Sequence, residues 1–185
     1  MACLLGSQYQ QRYRSGVPPG PQSNRILDPI NRKAMTEEEA EVADIIADAA
    51  PLPLLDAAYA LWRRRYRLDT LEGRPTAQEV RINRTLTAEQ FAAKYRHDRD
   101  HAQDGPAFNH LKRAHPRADD GAIRQAIVTA VKFEDACFRH FERNNRPGEY
   151  WDCCVSAVVL ARKDFPDFRE DTYRQAANDV AYYYK

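Results

Sequence analysis

"DDGAIRQAIVTAVKFEDACFRHF", residues 119–141, decides how the rest of the chain is read. Its apolar residues recur three and four apart, so Ile123, Ile127, Ala130, Val131, Phe138 and Phe141 share one face of a helix. No run of alternating β-branched residues competes with that period, and Asp119 or Asp120 supplies an N-cap. The stretch predicts a long amphipathic helix, and its neighbours follow suit. Downstream, "PGEYWDCCVSAVVLARKDF" (147–165) opens on Pro147, suited to a first helical turn, and is apolar nearly all round. That pattern predicts the buried central helix of the domain, with Trp151 inside. "EDTYRQAANDVAYYYK" (170–185) places Tyr173, Ala176, Ala177, Val180 and Tyr184 on a further stripe. At least one of Tyr182, Tyr183 and Tyr184 must then face outward. Residues 105–185 therefore predict a three-helix core.

Upstream, residues 36–104 predict charged helices. "TEEEAEVADIIADAA" (36–50) begins with capping-box spacing between Thr36 and Glu39, followed by acids that suit a helix N-terminus. Pro51 and Pro53 separate it from "LLDAAYALWRRRYRLDTLEG" (54–73), where Leu55, Ala58, Tyr59, Trp62 and Tyr66 make one stripe that Gly73 closes. Thr87 and Gln90 form a second capping box and open "AEQFAAKYRHDRDHAQD" (88–104), which Gly105-Pro106 terminates. Residues 1–35 differ from all of this. They contain "SGVPPGPQSN" (15–24) and no periodic apolar pattern, which predicts an extended arm. The fold expected is all-α: a helical bundle of about five to six helices over 36–185, with an extended N-terminal arm over 1–35.

Composition narrows the function classes. Seven glycines against eleven prolines argue against a sandwich or barrel. A net charge of +1 provides no global field for nucleic acid or anionic lipid. Charge is instead segmented: residues 36–56 carry seven acids and no base, whereas 57–99 carry ten bases and five acids. The cysteines, Cys3, Cys137, Cys153 and Cys154, lack C-x-x-C spacing and do not read as a disulfide framework. The start "MACLLGSQ" has no basic region of a signal peptide, and the longest apolar run, Cys153 to Ala161, is too short to span a bilayer. A cytoplasmic protein with no membrane contact is expected. Phosphate-loop and dinucleotide fingerprints are absent, so no cofactor is expected.

Three constellations carry candidate chemistry. In "YRHDRDHAQD" (95–104), His97 and His101 share a helix face, and Asp98 and His101 have the D-x-x-H form, a ligand spacing for a metal. Arg96 and Arg99 flank them, and positive charge opposes a cation there. The competing reading is a solvated helix face of alternating charges. In "KFEDACFRHFE" (132–142), Glu134 falls within the apolar stripe, with Cys137 and His140 following on the same helix. A carboxylate facing a core needs a partner, and Arg162 or a tyrosine hydroxyl is the expected one. In "WRRRYRL" (62–68), Arg63, Arg64, Arg65 and Arg67 alternate with Trp62 and Tyr66, a pattern that suits phosphates and bases. The competing reading has this helix antiparallel to the acidic helix, each neutralising the other.

The function expected is non-enzymatic: protein–protein contact as an adaptor, accessory subunit or regulator of an intracellular complex, with a protein partner or a homo-oligomer. Tyr9, Tyr13, Ile26 and Ile30 of the arm and Arg63, Arg64 and Arg67 are the expected contact residues. Two alternatives remain open at this stage. One is a nucleic-acid-associated helical protein that uses the Arg63–Arg67 patch. The other is a metal-dependent helical-bundle enzyme that uses His97 and His101.

Overall fold

The computed structural model describes residues 35–74, 87–146 and 148–184. The arm, with Tyr9, Tyr13, Ile26 and Ile30, lies outside the described residues. Among those described the protein is all-helical, with eight α-helices and a 3-10 turn in place of the expected five to six helices. They are α1 Glu37–Ala49, α2 Leu54–Arg63, α3 Arg65–Leu71, α4 Ala88–Asp100, the 3-10 turn Ala102–Asp104, α5 Pro106–Ala114, α6 Asp120–Asn144, α7 Tyr150–Arg162 and α8 Glu170–Tyr183.

Both capping boxes form. Thr36 Oγ1 accepts from the Glu39 backbone N–H at 3.2 Å while the Glu39 carboxylate accepts from the Thr36 N–H at 2.9 Å. Thr87 and Gln90 repeat the exchange at 3.2 and 2.8 Å. Asp119 caps α6, accepting from the N–H groups of Gly121 and Ala122 at 2.8 and 3.1 Å. Gly73, with φ of 66°, ends α3 in the left-handed conformation that only glycine adopts at little cost.

The two extra helices have local causes. The stretch 54–73 breaks at Arg64 (φ −92°, ψ 6°), and the Arg65 guanidinium takes up the Trp62 carbonyl at 2.9 Å. The break turns Tyr66 out of the stripe shared by Ala58, Tyr59 and Trp62, and it is exposed. Helix α4 ends at Asp100, short of Gly105-Pro106, and the 3-10 turn fills the interval. Pro106 occupies the first turn of α5, where a missing N–H costs nothing, and Leu111 and Ala114 are buried below it. Residues 105–185 thus hold four helices rather than three. Their apolar faces close on α1 and α2 in one core that includes Val42, Ile46, Tyr59, Leu61, Ile123, Phe133, Phe141, Ala157 and Val180.

The central helix is α6, not the 147–165 segment. It packs on α2, α5, α7, α8 and the 3-10 turn. Ile123, Ala130 and Phe133 on it are completely buried. Phe133 meets the rings of Tyr59, Phe165, Phe168 and Tyr173 at centroid distances of 5.4, 5.9, 4.6 and 5.7 Å. Loop residues Phe165 and Phe168 thereby join the core. Helix α7 begins at Tyr150, after Gly148 at φ 84°, and packs on α6 and α8 through small residues: Cys153, Cys154, Ala157, Val158 and Ala161. Trp151, Val155 and Val159 face the other way.

One buried carboxylate joins distant segments. Asp56 of α2 accepts from the Arg169 backbone N–H at 2.9 Å and from the Thr172 hydroxyl at 2.5 Å. It thereby supplies α8 with the N-terminal acceptor that Arg169, its own N-cap residue, lacks. No helix among the described residues is long and apolar enough to cross a membrane.

Candidate functional site

The three constellations of the sequence converge. Glu134, on the inner face of α6, is 5% exposed. Its carboxylate accepts from Trp62 Nε1 at 2.8 Å, from Arg99 Nη2 at 2.8 Å and from Arg65 Nη1 at 3.2 Å. The buried carboxylate expected at this position is there, but its partners are not Arg162 or a tyrosine. Arg162 pairs with Glu170 at 2.7 Å on the surface and stacks over Tyr173. Arg99, expected on a solvated face, is 8% exposed and is the inward anchor of α4. Its guanidinium donates to the Tyr95 hydroxyl at 2.9 Å and also pairs with Asp135. Arg65 lies 4.2 Å from the Trp62 ring centroid and 4.5 Å from that of Tyr66, a cation between two aromatic faces. Burial opposes charge on both arginines, yet Glu134 and its neighbours outweigh it, and both pKa values are raised. They are permanent cations inside the domain.

A cleft of about 460 Å³ opens beside this cluster, lined by Trp62, Arg65, Tyr66, Tyr95, Arg99 and His101 among others. At its edge the rings of His97 and His101 stack with centroids 4.2 Å apart. His101 Nδ1 lies 3.0 Å from the His97 carbonyl, and His97 Nδ1 lies 3.6 Å from the Asp98 carboxylate. Among the described residues no group of three or more His, Cys, Asp or Glu side chains is arranged to hold a metal. In the wall of the cleft His110 Nε2 sits 3.0 and 3.1 Å from the two Glu72 oxygens. Burial pushes the Glu72 carboxyl up, but His110 and Arg74 prevail and hold it below the usual range. Cys137 is buried in the core, and burial, then Glu134, pushes its thiol far up, away from the reactive thiolate.

The arginines of "WRRRYRL" all meet carboxylates of their own domain. Arg63 binds Asp179 through two nitrogens at 2.6 and 2.8 Å, and Tyr59 donates to the same carboxylate at 3.0 Å. Arg65 has Glu134. Arg64 meets Asp48 at 3.2 Å, and Arg67 makes a bidentate pair with Glu41. The last two pairs run in opposite order along α1 and α3, so the helices are antiparallel and neutralise each other, as the charge segments suggest.

A different surface stands open. Trp151, Val155 and Val159, four apart on α7, are 43, 39 and 55% exposed. Tyr182 and Tyr183 at the end of α8 are exposed as well, while Tyr184 packs on Phe141 with centroids 4.6 Å apart. The Tyr150 hydroxyl donates to the Ala181 carbonyl, which brings the Trp151 end of α7 beside the Tyr182 end of α8. The sequence carried the signal for this face. A helix apolar all round needs cover on every side, and small residues on one side of α7 mark the side that approaches another helix closely. Compared with known proteins, the chain matches no family model, no curated protein and no solved structure.

Proposed function

We propose that this chain is a non-enzymatic protein–protein interaction protein, an adaptor, accessory subunit or regulator in a cytoplasmic complex, and that α7 carries the contact. The observation behind this reading is the outward stripe of Trp151, Val155 and Val159 on a helix whose opposite side is already buried. Scattered single apolar residues are ordinary on a protein surface, but three aligned on one helix face, with a tryptophan among them, form the centre of an interface. The charged groups of the domain support the same reading by their engagement elsewhere. Arg63, Arg64, Arg65 and Arg67 each have a carboxylate partner within the chain, so phosphate binding by this patch would first have to break those pairs.

Size fractionation of an extract of the natural source tests the role. The 21.3 kDa chain should migrate in a heavier species, and Val159→Asp, which places a charge in the stripe, should return it to the position of the free chain. Migration of the unaltered chain as a 21.3 kDa monomer would remove the proposed role.

A further inference from the structure

Resting on that reading, we infer that the occupant of the α7 face is a second copy of this chain, docked antiparallel about a two-fold axis. The distribution of charge along the face selects that partner. Successive residues advance about 100° around a helix, so Trp151, Val155 and Val159 cover an arc of about 80°. Asp152 and Lys163 fall on the same exposed side, within about 20° of each other and about 16 Å apart along the axis. The apolar stripe therefore has an acidic residue at its start and a basic one at its end, and both side chains are exposed. Among the described residues, Glu149 pairs with Arg146 at 3.1 Å and Arg162 with Glu170 at 2.7 Å, while the exposed Asp164 follows Lys163 past the end of the helix. Asp152 and Lys163 take part in no such pair.

A face with opposite charges at its two ends complements itself in one orientation only. A parallel copy would set Asp152 against Asp152 and Lys163 against Lys163. An antiparallel copy sets Asp152 against Lys163 of the second copy, twice, as a two-fold axis requires. The midpoint between residues 152 and 163 lies between Ala157 and Val158. Turning α7 about that point brings Val155 to within one residue of the level of Val159 on the other copy. It also sets Trp151 level with Asp164 of the other copy and one residue from its Lys163, where an aromatic face can meet the ammonium. The same register thus satisfies the apolar stripe and both charged ends.

Sedimentation equilibrium of the purified full-length chain tests this, with far-UV circular dichroism as a check on folding. The unaltered chain should sediment as a dimer of the 21.3 kDa chain. Asp152→Lys and Lys163→Asp should each weaken the dimer about tenfold, since each replaces two attractive contacts by two repulsive ones. An equimolar mixture of the two variants should recover the lost association, because each mutated end then faces its opposite. The inference is overturned if the purified chain is monomeric at concentrations up to about 200 μM, a range that detects even weak association. It is equally overturned if a dimer forms but ignores both substitutions, or if the mixture is no tighter than either variant alone. A purified monomer that still migrates in a heavier species in the extract leaves the contact role standing with a different partner. A monomer in both settings removes both.

Discussion

Glu134 illustrates how a single buried charge organises this domain. Two guanidinium groups and an indole N–H converge on it, from α3, α4 and α2. A buried ion pair adds little net stability over an apolar replacement, but removing one member leaves the other charge uncompensated. Glu134→Gln keeps the shape and an acceptor for Trp62 while stranding Arg65, and Arg99 retains only the half-exposed Asp135. The substitution should therefore cost about 3–5 kcal/mol in urea unfolding. A loss below about 1 kcal/mol would mean that the arginines are neutralised by other groups. The burial of Glu134 was legible in the sequence, since it interrupts the apolar stripe of its own helix. Its partners were not. A helical projection shows which residues share a face, not which helix will meet that face, so Arg99 read as part of a solvated surface. The Arg162 projection failed for the same reason.

At the scale of the element, α6 and α7 reverse the roles that their compositions suggest. The more apolar α7 is peripheral, and the amphipathic α6 is the spine because five elements pack around it. Phe133 marks the difference: it is completely buried against four aromatic rings, whereas Val159 is 55% exposed. Thermal or urea unfolding of Phe133→Ala should show a loss of about 3–5 kcal/mol, while Val159→Ala should stay within about 0.5 kcal/mol when measured on dissociated chain. Equal losses would place α7 back in the core. Caps were the most legible feature, since Thr36 with Glu39, Thr87 with Gln90, and Asp119 all act locally and all form. The break at Arg64 was not legible because it rests on a single side chain, Arg65, reaching the Trp62 carbonyl, which leaves no mark on the apolar period; the helix at Pro106 was not legible because it depends on Leu111 finding the core. An all-round apolar helix implies burial on every side, but the described residues cover only one side of α7, and Trp151 lies on the other.

For the molecule as described, the arginines of residues 63–67 resolve into ion pairs within the domain, and Trp151, Val155 and Val159 share an outward face. The acidic and arginine-rich segments meet through Glu41 and Asp48, as the reversal of charge between residues 36–56 and 57–99 indicated, while Arg63 pairs instead with Asp179 of α8. The convergence of "YRHDRDHAQD", "WRRRYRL" and Glu134 at one cleft was beyond the sequence, because it depends on how α2, α3 and α4 meet α6. Among the described residues the outer face of α7 remains uncovered. The chain has two tryptophans, of which Trp62 is buried against Glu134 and Trp151 is 43% exposed, so iodide quenching of fluorescence reports the α7 face selectively. The most direct measurement is that quenching, followed as the purified chain is taken from dilute to concentrated solution. The Trp151 signal should be quenched freely at high dilution and become shielded as the copies associate. Quenching that stays the same at every concentration while the chain dimerises would contradict the account.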